Sequence, residues 1–498
     1  MGMATSSKVL KPFIAKSAKD RLVVVGSKQG RKHTLIDPAN AKAQYYYYHQ
    51  TLSSEIQHSL ENSKQAQLSW ASKAPAHRAS ILRTAATIMS QNKELLSEME
   101  TSDTGRVIRE TAYDIDEGVK CLNYYAGLAN TLGGEMYKLP GSSLGYTLRE
   151  PLGVTVGIGA FNYPLQGALW KSVPALAFGN SMIFKPSEYT PSTALWLADC
   201  YAEAGVPEGV FQVVLGDGQV GEELVSSELV DKISFTGSAE IGKIIYETAA
   251  RGMKKVTMEL GGKSPLIIFD DADLENAVSA AMLGNFYSNG QVCSNGTRVF
   301  VHESIIEEFI HRLVERTKKL RIGDPRDVNT DIGPMAHKDQ FEKVLRYVHA
   351  GVEEGASLLH GGTRVDELRD GYFLTPAIFT NCTDDMTICK EEVFGMLMSI
   401  LSFSSEEEVI SRANNTGFGL AAGVFTSEIQ RGHRVVDKLQ AGVTWINNYN
   451  LAPMNLPWGG GTKYSGIGRE NGTGGVESWT QLKSVYLEMG NVECDYPK

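Results

Sequence analysis

The apolar and polar positions of this chain fall into three regimes. The first begins with short runs: Arg21 to Gly26 and His33 to Ile36 read as strands, and the Asp37-Pro38 turn follows the second. From about Ser53 to Glu100 apolar residues recur at helical spacing, among them Leu60, Trp70, Ile81, Leu82, Ile88, Leu95 and Met99. Tyr45 to Tyr48 predicts an edge strand covered by its neighbours rather than a ligand site.

Between Gly153 and Gly237 the pattern changes to short apolar strands at Val154–Gly159, Ser181–Phe184, Val210–Val214 and Lys232–Phe235. Helical stretches near Leu165–Ala177, Ser192–Ala204 and Val220–Ser226 separate them. Strands alternating with helices predict a doubly wound parallel sheet. A second such series begins at Pro265–Phe269 and runs to about Val443–Ile446. The closing segment, Thr480 to Gly490, predicts an exposed strand with no hairpin partner nearby, one that a second subunit would complete.

Composition narrows the class. A chain of 498 residues, 42% hydrophobic and 21% charged, has room for two or three domains with sizeable cores. The formal charge is −10, with no long basic run, which argues against a nucleic-acid partner. Six cysteines show no Cys-x-x-Cys pair and no metal-ligand spacing, so free thiols in a reducing compartment are expected, and no metal. No apolar run approaches the ~18 residues of a membrane span; Ala168 to Phe184 is interrupted by Lys171, Ser172 and Asn180. Met1 to Lys19 carries four lysines and no acid but lacks arginine and a clear apolar face, so a cytosolic terminus is expected over a transit peptide.

Three polar residues stand in contexts suited to chemistry. Cys293 lies in Asn289-Gly290-Gln291-Val292-Cys293-Ser294-Asn295-Gly296, Glu259 in Met258-Glu259-Leu260-Gly261-Gly262-Lys263, and Asn162 in Gly159-Ala160-Phe161-Asn162-Tyr163-Pro164. A thiol, a carboxylate and an amide are the parts needed to attack a carbonyl, activate a water and steady an oxyanion. A cysteine is usually a small apolar filler. The polar, flexible neighbours of Cys293 instead predict a loop or helix start where a thiolate is feasible. Glu259 alone is equally an ordinary strand-end carboxylate. Phe235 to Gly242 is not the six-residue G-x-G-x-x-G fingerprint; Gly237-Ser238 would offer free N–H groups and a hydroxyl to a pyrophosphate, and a tight packing turn explains it about as well. Lys185-Pro186-Ser187-Glu188 follows a buried strand, at the carboxyl end where doubly wound sheets bind ligands.

The strings Q-V-C-S-N-G-T-R-V-F-V, M-E-L-G-G-K-S-P, F-T-G-S and E-E-V-F-G resemble the aldehyde dehydrogenase superfamily, along nearly the whole chain. The resemblance implies an α/β fold of two doubly wound parallel-sheet domains plus a β oligomerisation arm. Residues 1–129 and 151–258 would bind NAD, 259–447 would form the catalytic domain, and 448–477 would return to the cofactor domain. Residues 130–150 and 478–498 would form the arm of a homodimer or homotetramer. It implies oxidation of an aldehyde through a thiohemiacetal and a thioester on Cys293. The Cys293 N–H and the Asn162 amide would hold the oxyanion, and Glu259 would activate the water and also serve the thiol. Lys185 and Glu188 would meet the adenosine ribose, and an acid there favours NAD over NADP. Gly237, Ser238 and Ile241 belong to the pyrophosphate turn; Glu392 would bind the nicotinamide ribose and Phe394 would pack the ring. The proline usual after Gly395 is Met396 here.

Residues 157–164, 293–301 and 445–450 resemble the betaine aldehyde and trimethylaminobutyraldehyde dehydrogenase branch, which usually has tryptophan where Phe161 stands. A quaternary ammonium offers no N–H, so recognition relies on aromatic faces and negative charge. By this resemblance Tyr163, Trp170, Tyr287 and Trp458 would line the substrate tunnel, and Asp114 and Glu117 would sit at its mouth. Tyr163 and Trp170 are spaced to share a helix face, as are Asp114 and Glu117; Tyr287 would lie a little under two turns before Cys293 if that segment is helical. A carboxylate-bearing semialdehyde would want an arginine in the tunnel, and none is suggested. The loop Gly459 to Gly466 is one residue longer than the family's usual form. The rival readings are a broad-range aliphatic aldehyde dehydrogenase and a non-catalytic NAD-binding or structural protein.

Overall fold

A computed structural model describes residues 24–25, 29–492 and 494–496. The segment Met1 to Lys19 and most of the strand expected from Arg21 to Gly26 lie outside the described residues. The helical stretch after Ser53 is three helices, Ser53–Ala71, Pro75–Gln91 and Lys93–Thr104, and Ile108–Leu128 follows them. Gly105, left-handed at φ 73°, ends the third. No helix among the described residues is long and apolar enough to cross a membrane.

The first sheet has seven strands in the order Val24–Val25, Phe211–Val214, Ser181–Lys185, Val154–Ile158, Lys232–Thr236, Lys255–Glu259 and Gly466–Ile467. The first six are parallel and the last is antiparallel. Every residue of Val154–Ile158 and Ser181–Lys185 is buried, which is why these strands read as continuous rather than alternating apolar runs. Strand order reverses between Val154–Ile158 and Lys232–Thr236, leaving a crevice at their carboxyl ends where open α/β sheets take ligands.

The second sheet runs Ser357–His360, Ala377–Thr380, Leu397–Phe403, Arg298–His302, Pro265–Ile268, Ala421–Phe425 and Val443–Ile446, parallel except at the first pair. Its central strand Arg298–His302 carries at its amino end the loop that holds Cys293. Each large sheet packs on its own apolar clusters.

A third, antiparallel sheet corrects the expectation for the closing segment. Thr480–Leu487 pairs along its whole length with Leu144–Pro151 of the same chain, which pairs in turn with Met136–Lys138. Its partner is distant in sequence, and one edge of Thr480–Leu487 remains open. The tyrosine run lies in Asn40–His49, hairpin partner of Lys32–Asp37. The Tyr45 hydroxyl bonds Asp103 and that of Tyr48 bonds the Glu188 carbonyl at 3.2 Å.

Candidate active site

A cavity of about 660 Å³ lies over the crevice of the first sheet. Its lining includes Asn162, Glu259 and Cys293, and also Lys185, Glu188, Gly237, Ser238, Ile241, Glu392 and Phe394. Ten residues from six sequence motifs therefore meet on one surface.

The elements explain the meeting. Asn162 and Tyr163 follow the strand Val154–Ile158, and Pro164 starts the helix Pro164–Ala177, where its missing N–H costs nothing. Glu259 ends its own strand at the cavity. At the turn after Lys232–Thr236, a Cβ on Gly237 would come within 2.4 Å of the Phe235 ring. The Ser238 hydroxyl accepts from the Ile241 N–H at 3.4 Å and caps the helix Ala239–Arg251, whose amino end faces the cavity. Free N–H groups at that end suit an anion, and the exposed apolar Ile241 and Ile244 offer a flat surface beside it. Opposite, Lys185 Nζ lies 3.9 Å from Glu188; burial pushes its ammonium down from the usual lysine range, and Glu188 and Asp217 oppose that. These features fit a dinucleotide.

Cys293 lies in a loop, as its sequence context suggested, half-buried at the cavity wall, but with neighbours less open than their polarity implied. Gln291, Ser294 and Asn295 are buried, so the loop is polar but enclosed. Burial, then the carboxylates of Glu259 and Glu392, push the Cys293 thiol up to about 12, although the N–H groups of Cys293 and Ser294 pull it back. The Asn162 amide donates to the Gln291 carbonyl at 2.9 Å, and the Gln291 side-chain carbonyl accepts from Ala336 N–H at 3.2 Å. Gln291 thus ties the amide to the cysteine loop.

Glu259 is buried, and its Oε1 has no hydrogen-bond partner. Burial and then Glu470 hold its carboxyl well above the usual range, against the pull of Lys171 and Arg469. Gly459 (φ 121°) packs on it so closely that a Cβ there would stand 2.0 Å from Oε1. Glu392 accepts the Gly262 N–H at 3.1 Å. Phe394, left-handed at φ 60°, is held by Gln340, whose amide donates to its carbonyl at 2.8 Å. Phe161, in place of the expected tryptophan, packs edge-on to Phe394 at 5.6 Å.

The expected substrate residues form two groups. Trp170 and Trp458 lie 5.9 Å apart, and Trp445 joins Trp458 at 6.2 Å. Tyr163 bonds Ser288 Oγ at 2.7 Å, and Tyr287 is its electrostatic neighbour. Residues 287–290 are not helical as assumed: Ser288 and Asn289 are left-handed, at φ 52° and 54°. Asp114 departs furthest from expectation. It is buried and paired with the fully buried Arg106 at 2.5 Å, so it is no free acid at an entrance. Glu117 pairs with Lys120 at 2.7 Å.

Sequence reasoning missed several partners. Lys171 counted only as an interruption of an apolar run, the one local hint that it needs a buried counter-charge. Trp445 stood in a quoted motif without a role. Arg106 carried no local signal: it is fully buried, and its guanidinium lies 4.0 Å from the Tyr163 ring centre.

A thiol, a carboxylate and an amide gathered in a dinucleotide cavity at a sheet's switch point define a class: nucleotide-dependent enzymes that act on a carbonyl through a covalent thiol. Comparison with known proteins narrows the class. The profile of the aldehyde dehydrogenase family matches residues 24–485. A betaine aldehyde dehydrogenase of Brucella anthropi is 51% identical over 475 residues, 95% of this chain and 97% of that protein. One from Brucella ovis is 50% identical over the same lengths. The crystal structure of betaine aldehyde dehydrogenase from Staphylococcus aureus in complex with NAD+ superposes with a TM-score of 0.95 at 35% identity, covering 99% of each chain. An NAD-dependent aldehyde dehydrogenase from Sinorhizobium meliloti gives 0.93 at 34% identity, covering 95% of this chain and 94% of that one. The chain belongs to the aldehyde dehydrogenase family.

Proposed function

We propose that this protein is an NAD-dependent dehydrogenase that oxidises a cationic aminoaldehyde, betaine aldehyde first, to its carboxylate. The observation that carries the reading is Cys293 in one cavity with Glu259, Asn162 and the dinucleotide turn. The Cys293 thiolate adds to the aldehyde carbon; its N–H and the Asn162 amide take the oxyanion. NAD, held by the Gly237–Ser238 turn, Lys185, Glu188, Glu392 and Phe394, supplies the hydride acceptor. The resulting thioester on Cys293 is cleaved by a water that Glu259 deprotonates. Burial and Glu470 raise the affinity of Glu259 for a proton, which makes its carboxylate a stronger base. Glu259 also takes the thiol proton, because the surroundings of Cys293 disfavour its thiolate, and releases that proton to solvent before it deprotonates the water.

The names of the relatives support betaine aldehyde, and 4-trimethylaminobutyraldehyde, with the same cationic head, is the second substrate we propose. Trp170, Trp445 and Trp458 supply aromatic faces for that head. One observation favours a second reading. Arg106 Nη2 is buried without a hydrogen-bond partner, and a carboxylate-bearing semialdehyde would engage it. Against it stand Asp114 and Glu110, two carboxylates within reach of the one guanidinium.

The partition into a cofactor domain, a catalytic domain and an arm is retained. We propose a homodimer or a dimer of dimers built through the arm, on whose sheet Met136, Leu482 and Tyr486 are exposed. Free thiols support a reducing, cytosolic setting.

NADH formation by the purified protein across betaine aldehyde, 4-trimethylaminobutyraldehyde, a carboxylate semialdehyde and neutral aldehydes of similar length tests the reading. A higher kcat/KM for the cationic aldehydes, lost in Cys293→Ala, is expected. Preference for the carboxylate or neutral members would overturn the substrate assignment, and turnover by Cys293→Ala would overturn the nucleophile.

A further inference from the structure

Ser288, Asn289 and Gly290 form three consecutive left-handed residues, at φ 52°, 54° and 73°. Only glycine adopts that region freely, so two of the three are strained unless their surroundings hold them. The strained run leads directly into Gln291, whose carbonyl fixes the Asn162 amide, and then into Cys293.

Ser288 is held by groups from the other sheet's part of the chain. Arg106 Nε donates to its hydroxyl at 2.9 Å, and Tyr163 meets the same oxygen at 2.7 Å. Its own N–H and hydroxyl reach Glu110 Oε2 at 3.0 and 3.2 Å. One donated proton and two accepted ones satisfy the hydroxyl completely. Arg106 is fixed in turn by Asp114 at 2.5 Å and by stacking on the Tyr163 ring. Asn289 is clamped separately, to the carbonyls of Gly105 and Pro334 and the N–H of Gly333.

We infer that Arg106, with Glu110, is a positioning residue for the oxyanion site: it holds Ser288 left-handed, and so sets the Gln291 carbonyl, the Asn162 amide and Cys293 in register. It does not line the cavity that holds Cys293 and Asn162, and acts on them through Ser288. The guanidinium fork is needed because it grips Ser288 and Asp114 at once, which a single ammonium does less well. The inference rests on the assignment of Cys293 and Asn162 given above.

The test is stopped-flow and steady-state NADH formation with betaine aldehyde and its aldehyde-deuterated form. Three variants are compared: Arg106→Lys, Ser288→Ala and Arg106→Lys/Ser288→Gly. Ser288→Ala leaves the buried ion pair intact, so it reports even if the arginine variant folds poorly. With Cys293 and Asn162 misplaced, hydride transfer in both single variants slows by about tenfold to a hundredfold. A deuterium isotope effect appears, and KM for the aldehyde and Kd for NAD stay within about threefold. Glycine takes the left-handed conformation without help, so the double variant recovers most of the lost rate; a purely structural role for Arg106 predicts no recovery. Unchanged hydride transfer in Ser288→Ala, or no rescue by glycine, overturns the inference. Turnover by Cys293→Ala in the same assay overturns the site assignment instead, so the two failures are distinguishable.

Discussion

Lys171 Nζ and Glu470 Oε1 lie 2.7 Å apart, and neither side chain reaches solvent. Ser234 joins them, accepting from Lys171 at 3.1 Å and donating to Glu470 at 3.2 Å. Such a pair contributes little net stability, because desolvation offsets attraction, but removing one partner leaves a bare charge in the core. Glu470→Ala and Lys171→Met each cost about 3–5 kcal/mol, read as a fall in the urea midpoint. The double variant Lys171→Met/Glu470→Met recovers most of that loss, and additive losses would contradict the pairing.

The same pair tunes Glu259. Glu470 raises the affinity of its carboxyl for a proton and Lys171 lowers it. The acid limb of the kcat–pH profile, measured where thioester hydrolysis limits turnover, reports this group. Lys171→Met removes a positive neighbour, so the limb moves to higher pH; Glu470→Gln removes a negative one, so it moves lower. The two variants are expected to move the limb in opposite directions. Equal movement in the two variants would show that Glu259 is not the titrating group.

Trp458 and Glu470 exchange backbone hydrogen bonds at 2.7 and 2.8 Å, closing the neck of the loop between them. Gly459 at that neck rests on Glu259, and its φ of 121° strains any other residue. Gly459→Ala displaces the carboxylate while leaving Cys293 in place. Because Glu259 serves both the thiol and the hydrolytic water, we expect pre-steady-state NADH formation to slow and the steady rate to fall about 10²- to 10⁴-fold, the effect of losing a general base. Unchanged rates in both phases would show that Gly459 does not set the position of Glu259 and sink this account.

The sheets were legible in the sequence because strands buried on both faces have no alternation, and because Asn162, Lys185, Gly237 and Glu259 each stand at a strand's carboxyl end or on the loop just beyond it. What was not legible involves pairing at a distance. Lys171 finds Glu470 after 299 residues and Arg106 finds Ser288 after 182, and no local spacing encodes either. The closing strand finds Leu144–Pro151 by the same kind of long-range pairing. Asp114 and Glu117 share a helix face, as their spacing requires, but spacing does not tell a solvated face from one pressed onto a buried arginine. Cys293 shows the same limit. Its polar neighbours predicted openness, and the fold encloses them.

That enclosure has a measurable consequence. Burial raises the Cys293 thiol first, and the negative charges of Glu259 and Glu392 raise it further, to about 12. Neutralising a carboxylate must therefore favour the thiolate, the sign opposite to that of losing a base. Alkylation by iodoacetamide as a function of pH reads the thiol directly, in a Cys494→Ser background because Cys494 is the exposed one among the described cysteines. Glu392→Gln moves the alkylation profile down by about one unit and speeds alkylation at pH 8 up to about tenfold. Glu392 is held by the Gly262 N–H rather than by the thiol, so the substitution leaves the cysteine loop in place. A profile that stays put, or moves up, would mean that Glu392 does not act on Cys293 through its charge.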